Sequence, residues 1–249
     1  MKALITGASS GIGAAMAKYL VEQGHEVILV ARRRGKLEKL AKDLGDGAKV
    51  IAMDISSTYN CMDLYNKVKS EKIDILINNA GFGHFGEFVS SSIDKELDMI
   101  DLNIKSVHIL TKLFLKDFKK RDAGYILNVA SSAGFLPGPL MGTYYASKAY
   151  VLNLSQAIYE ELRREGSHVK ISILCPGPVD TEFNKVANVS FGLKSLSSDV
   201  VAKYALKQMF KGKTIIIPGL KMKLSIFFMK FMPRKFLLKI AYNLQSRKK

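Results

Sequence analysis

The chain has 249 residues, 38 Lys and Arg against 22 Asp and Glu, a formal charge of +16 and 48% apolar residues. That balance excludes a disordered, collagenous or low-complexity chain and fits a folded α/β unit of ordinary size. The positive charge is unevenly spread: 13 Lys and Arg and no carboxylate follow Asp199, whereas residues 1–199 carry a net +3, ordinary for an enzyme.

Short, mostly apolar runs at 2–6, 26–31, 49–53, 73–78, 125–130, 169–174 and 214–217 alternate with amphipathic stretches at 12–23, 35–44, 58–71, 93–120, 143–165 and 198–211. Strands that are apolar throughout are those buried on both faces of a parallel sheet. The alternation predicts a Rossmann-type, doubly wound α/β fold with seven parallel strands and helices on both faces. Residues 1–218 read as one catalytic domain, with 219–249 as a basic amphipathic helical tail and not an independent domain. In such sheets ligands bind beyond the carboxyl ends of the strands, so the segments after each strand are where chemistry is expected.

After the first strand comes Thr6-Gly7-Ala8-Ser9-Ser10-Gly11-Ile12-Gly13, opening a helix. Glycines at this turn let the backbone of Gly7, Ser9, Ser10, Gly11, Ile12 and Gly13 approach a pyrophosphate, and the helix N-terminus offers it free N–H groups. The second strand ends in Arg32-Arg33-Arg34, where a dinucleotide-binding unit meets the adenosine ribose. An Arg pairs with a 2′-phosphate where a carboxylate would repel it, so NADP(H) is expected in preference to NAD(H). Arg32 is the foremost candidate, Arg33 stands next to it, and Arg34 is read as solvent-facing; a solvated basic helix start is the alternative.

Asp54, after the third strand, reads either as an acceptor for the adenine amino group or as a cap for the next helix. Asn78-Asn79-Ala80-Gly81 ends the fourth strand in a small, Gly-terminated turn suited to backbone contact with a ligand. His84 lies just beyond it and is read either as a turn residue or as a border of the substrate pocket. No ligand spacing links His25, His84, His108 and His168, and Cys61 and Cys175 fit neither a zinc site nor a disulfide framework, so no metal is expected.

Ser131 follows the fifth strand, and Tyr144 and Lys148 are four residues apart, on one face of a helix. An ammonium one turn away, together with a positively charged nicotinamide, favours a phenolate, so Tyr144 is expected to have a lowered pKa and to exchange a proton with a carbonyl or alcohol oxygen, while Ser131 holds that oxygen. Tyr145 is set aside because its partner four residues on is Ala149. Phe135 and Met141, between Ser131 and Tyr144, are expected to wall the pocket. Phe183, Val186, Val189 and Phe191 are expected to form an opposing lid, which points to an apolar substrate.

Together, Thr6-Gly7-xxx-Gly11-x-Gly13, Asn78-Asn79-Ala80-Gly81, Ser131, Tyr144-xxx-Lys148 and Pro176-Gly177, in this order and spacing, resemble the short-chain dehydrogenase/reductase superfamily of the classical type, over about residues 1–218. The resemblance implies a catalytic tetrad completed by Asn103, which would hold a water relaying protons to Lys148. It implies nicotinamide contacts from Pro176, Gly177, Val179 and Thr181, and a further bond from Lys148 to the nicotinamide ribose. A homodimer or homotetramer is also implied. The intact Ser131, Tyr144 and Lys148 weigh against the alternative of a catalytically silent nucleotide-binding scaffold, which has no need of them.

Beyond Gly219, Lys interrupts the apolar runs too often for a membrane span. Two amphipathic helices separated by Pro233 are predicted. Three occupants are weighed for the tail: the catalytic domain or a partner subunit, an anionic membrane surface contacted peripherally, and nucleic acid, which is disfavoured because no base-reading motif accompanies the charge. The extension is similar to that of a ketoacyl-reductase-like bacterial branch of the superfamily. The chain begins directly on a strand pattern with no leader, so a cytoplasmic protein is expected.

Overall fold

Alternation along each apolar strand decides which helix layer its side chains meet. Ala3, Ile5, Val27, Leu29, Ile75, Ile77 and Leu127 join one buried cluster, and Leu4, Ile28, Val30, Leu76 and Ile126 join the other. The computed structural model describes residues 1–183, 187 and 195–246. Strands β1 (Lys2–Thr6), β2 (Glu26–Ala31), β3 (Ala48–Ala52), β4 (Ile75–Asn78), β5 (Tyr125–Val129), β6 (Lys170–Leu174) and β9 (Ile215–Ile216) form one parallel sheet in the order β3-β2-β1-β4-β5-β6-β9. The direction of winding reverses between β1 and β4, which makes the space beyond their carboxyl ends the crevice of the fold.

Helices α1 (Gly11–Glu22), α2 (Arg34–Leu44) and α7 (Ser198–Phe210) cover the first face through Met16, Leu20, Leu37, Val201 and Leu206. Helices α3 (Thr58–Val68) and α5 (Ser106–Lys120) cover the other through Leu64, Leu110 and Phe114, joined by Leu162 from the long α6 (Gly142–Arg164). The seven strands and the helices of both layers agree with the sequence pattern.

Two local features were not anticipated, and the tail takes one of the places weighed for it. The stretch 93–120 is not one regular helix: α4 (Ile93–Ile100) passes through a π-helical turn at Asp101–Lys105 into α5, and the fully buried Asn103 sits in that turn. Such an insertion shifts the helical phase at one point, and periodicity summed over a long window does not register it. A two-stranded ribbon, β7 (Val179–Asp180) with β8 (Leu196–Ser197), joins the segment after β6 to the start of α7. Finally, the predicted tail helices α8 (Leu220–Met229) and α9 (Arg234–Ser246) lie over the crevice, where they line its cavity.

Candidate active site

The first turn of the site is held from beneath. Thr6 Oγ1 accepts from the N–H groups of Asn79 (3.0 Å) and Ala80 (3.1 Å), and Asn79 Nδ2 donates to the carbonyls of Thr6 (3.0 Å) and Gly7 (3.2 Å). Gly7 adopts a φ of +66°, and a Cβ there would lie 2.8 Å from the Ala80 Cα, so any side chain would push the β1 and β4 turns apart. Ser10, at the N-cap of α1, is extended and makes no side-chain cap bond. The first-turn N–H groups are therefore not capped by that side chain, which suits an anionic ligand.

At the end of β2 the two arginines behave differently. Arg33 donates to Ser9 Oγ (2.8 Å) and Ser10 Oγ (2.9 Å), and it pairs with Glu182 at 2.7 Å. Lys36 binds the same carboxylate, and these two cations hold Glu182 at about 2. Arg32, placed first in the sequence reading, is 71% exposed and reaches Asp54 at 3.7 Å. It is Arg33 that stands against the Gly-rich turn, because the chain bends into α2 there and the side chains of neighbouring residues point in different directions. Asp54 is not the helix cap: Ser57 Oγ caps α3 by accepting from Asn60 N at 3.0 Å, while Asp54 Oδ1 accepts from Ser56 N at 3.0 Å.

Toward β5 and β6 the site becomes deeply buried. Ser131 caps a short helical turn by accepting from Ala133 N (3.1 Å), and it forms a side-chain hydrogen bond with Tyr144. Burial pushes the Tyr144 phenol up to about 12, with the Ser131 bond pulling the other way. Burial also lowers Lys148 to about 8. Its Nζ donates to the Val129 carbonyl (2.9 Å) and lies 5.9 Å from the Tyr144 ring centre. The ammonium by itself does not lower the Tyr144 pKa: with Nζ turned to a backbone carbonyl, desolvation outweighs it in the chain alone.

Asn103 is brought to this group by the π-helical turn. Its Oδ1 accepts from Phe82 N (3.1 Å), and its Nδ2 donates to Phe82 O (2.9 Å) and Ser147 Oγ (3.1 Å). A Cβ on Gly81 would stand 2.8 Å from Asn103 Oδ1 and 3.3 Å from Lys148 Nζ, so glycine is what lets these two side chains and the backbone share one space. The Cys175 thiol, at the end of β6, is pushed up to about 12 by burial and stays protonated, as does the Cys61 thiol at about 11. Among the described residues, no group of three His, Cys, Asp or Glu side chains forms a metal-holding cluster.

A cavity of about 830 Å³ connects the two ends of the site. It is lined by Gly7, Ser9, Ser10, Gly11 and Ile12 of the Gly-rich turn, Arg32, Arg33, Asp54, Asn79, Ala80, Gly81, Ser131, Tyr144 and Lys148, and by Pro176, Gly177, Val179 and Thr181. Gly13 and Asn103, expected at the site, do not line it: a Cβ on Gly13 would stand 2.6 Å from the Gly7 carbonyl oxygen, so that glycine lets α1 pack on the turn, and Asn103 is bonded to Phe82 and Ser147 behind the wall. Of the expected substrate walls, Met141 and Phe183 line it, with the Phe183 ring 5.3 Å from that of Tyr144. Phe135 and His84 do not. Phe135 closes a helical turn and packs away from the cavity on the cluster of Val107, Ala130 and Val151, leaving Leu136 to form the wall. His84 lies beside Gly86, off the cavity surface. Val186, Val189 and Phe191 lie outside the described residues.

The sequence reading missed the far wall, made by Tyr145 and by Met222, Met229, Leu244 and Gln245 of the tail. Gln245 Nε2 donates to the Tyr145 hydroxyl, and its buried Oε1 has no hydrogen-bond partner among the described residues. The available signal was Met222, Ile226 and Met229, spaced four and three residues apart as a second apolar stripe on α8.

Residues 1–190 match the short chain dehydrogenase family. An uncharacterized oxidoreductase of Staphylococcus epidermidis is 35% identical over 212 residues, covering 83% of this chain and 90% of its own. A short-chain dehydrogenase from Sphingobium yanoikuyae, in complex with NADPH, aligns with a TM-score of 0.82 at 32% identity over 88% of each chain. A short chain dehydrogenase/reductase from Burkholderia phymatum, in complex with NAD, aligns with a TM-score of 0.83 at 25% identity over 90% of this chain and 91% of its own.

Proposed function

The chain belongs to the short chain dehydrogenase family, and from that premise we propose that it is an NADP(H)-dependent oxidoreductase that interconverts a ketone or aldehyde and an alcohol. The observation that carries this reading is the meeting of Ser131, Tyr144 and Lys148 in the same cavity as the uncapped start of α1 and the Arg33 guanidinium. The residues present fit a phosphorylated dinucleotide. The α1 N-terminus receives the pyrophosphate, while Arg33, braced by two serine hydroxyls and helped by Arg32, receives a 2′-phosphate. Bound NADPH supplies the hydride.

The chain's own groups handle the proton. In the reducing direction Tyr144, neutral because its pKa is near 12, donates its phenolic proton to the carbonyl oxygen, and Ser131 holds the same oxygen by hydrogen bond. Charged Lys148 stabilises the phenolate left behind, and Asn103 anchors the loop beside it through Phe82. Phe183, Met141, Met222, Met229 and Leu244 form apolar walls that exclude water and suit an apolar carbonyl compound. We read the assembly as a homodimer or homotetramer, by family analogy, which light scattering checks.

The test is NADPH consumption over ketones and aldehydes of graded chain length and ring size, with Tyr144→Phe alongside. Turnover by the unaltered protein and a loss of roughly 10²- to 10⁴-fold in the variant, with NADPH affinity retained, are expected. Equal rates for the two proteins would overturn the mechanism.

A further inference from the structure

Helix α8 is apolar on two opposite faces. Met222, Ile226 and Met229 turn inward: Ile226 is buried, and the two methionines line the cavity, with Met222 packed on Gly177. Leu220, Leu224, Phe227, Phe228 and Phe231 form the outer stripe, and all five are exposed, Leu220 at 72% and Phe231 at 73%. The rings of Phe228 and Phe231 lie 5.6 and 5.3 Å from that of Phe227, so the stripe is a contiguous aromatic patch and not a scatter of single residues. Helix α9 also exposes Phe236 and Tyr242, each by more than two-fifths. A contiguous exposed apolar patch of this kind marks a contact surface.

Charge selects the occupant. Lys221, Lys223, Lys230, Arg234, Lys235 and Lys239 are all exposed along the same two helices, and no carboxylate follows Asp199. A second copy of this chain docked face to face across a two-fold axis would bring these cationic rims together with no acidic residue of the tail between them. An anionic lipid surface matches both parts of the pattern, since bulky apolar groups enter the acyl boundary while lysines remain at the headgroups. No helix among the described residues is long and apolar enough to cross a membrane, so the contact is with the surface. We propose that the outer face of α8 and α9 is a peripheral docking surface for anionic lipid, which sets the helices that roof the cavity against the bilayer. The proposal does not depend on the catalytic reading.

The experiment is flotation of the full chain with phosphatidylcholine vesicles, with and without about one-third phosphatidylglycerol. Flotation with the anionic vesicles, weakened as salt rises, is expected. Phe228→Ser combined with Phe231→Ser should reduce binding roughly tenfold or more, and Lys221→Ser or Lys230→Ser about fivefold each. These positions are exposed, so an unchanged thermal melt and NADPH affinity show that the variants are folded. Absence of flotation, or equal flotation by the double Phe variant, would overturn the proposal. A wild-type dimer that ignores vesicles and dissociates when Phe228 and Phe231 are replaced would assign the face to a second copy instead.

Discussion

At the Gly-rich end of the cavity, Thr6, Asn79 and the Gly7 carbonyl are tied by hydrogen bonds of 3.0–3.2 Å between elements far apart in sequence. At the opposite end, Met141, Phe183, Met222, Met229 and Leu244 meet mainly as apolar side chains, with the Gln245 to Tyr145 bond as a polar exception. The first arrangement leaves no room for a side chain at Gly7, where a Cβ would lie 2.8 Å from Ala80 Cα, and tolerates little change. The second, made of flexible methionines and exposed helices, accommodates different shapes. One end is thus built for a fixed ligand and the other for selection among related ones.

Replacing Arg33 should strike the rigid end hardest. Arg33→Ala is expected to weaken NADPH roughly 10- to 100-fold while leaving NADH nearly unchanged, and Arg32→Ala should do markedly less; fluorescence titration with both nucleotides measures this. Equal losses of NADPH and NADH in Arg33→Ala would mean that the guanidinium braces Ser9 and Ser10 without reading a phosphate.

Gly81→Ala tests the rigidity itself. A Cβ 2.8 Å from Asn103 Oδ1 must displace buried groups, with an expected cost of about 1–3 kcal/mol in urea unfolding and a drop in kcat. An unchanged melt and rate would show that this turn yields.

The pH dependence follows from Lys148. Its pKa near 8 lies below its ordinary 10.5, so the ammonium is present below pH 8 and is lost as the pH rises through that value, while Tyr144 remains a proton donor up to about 12. Carbonyl reduction should therefore fall above about pH 8, approaching tenfold per unit, as a pH profile of kcat/KM would record. A flat profile to pH 10 would mean that Lys148 keeps its ordinary pKa in the working enzyme.

The adaptable end should respond more mildly. Gln245→Leu removes the bond to Tyr145 and the amide oxygen that has no partner among the described residues. It is expected to shift KM for the carbonyl compound about two- to tenfold, with kcat and NADPH affinity retained. A loss in kcat instead would place Gln245 nearer the proton transfer than the wall.

Local rules account for much of this molecule. Apolar runs of four to six residues become parallel strands because both faces are covered. The Gly-rich turn is legible because close backbone approach requires glycine, and Tyr144 and Lys148 share a face because helix geometry places residues four apart together. Those relations lie within a few residues of one another, and chain order preserves them.

Long-range packing settled the rest. Whether Arg32 or Arg33 turns to Ser9, and whether Phe135 or Leu136 faces the cavity, depends on how α2 and the turn after β5 seat on distant neighbours. The pKa values of Tyr144 and Lys148 moved apart because enclosure by many segments removes water, a quantity no short window of sequence contains. The C-terminal charge, evident from composition as an excess after Asp199, acquired a direction once α8 folded over the crevice: one apolar stripe closes the cavity, and the other faces outward among the lysines.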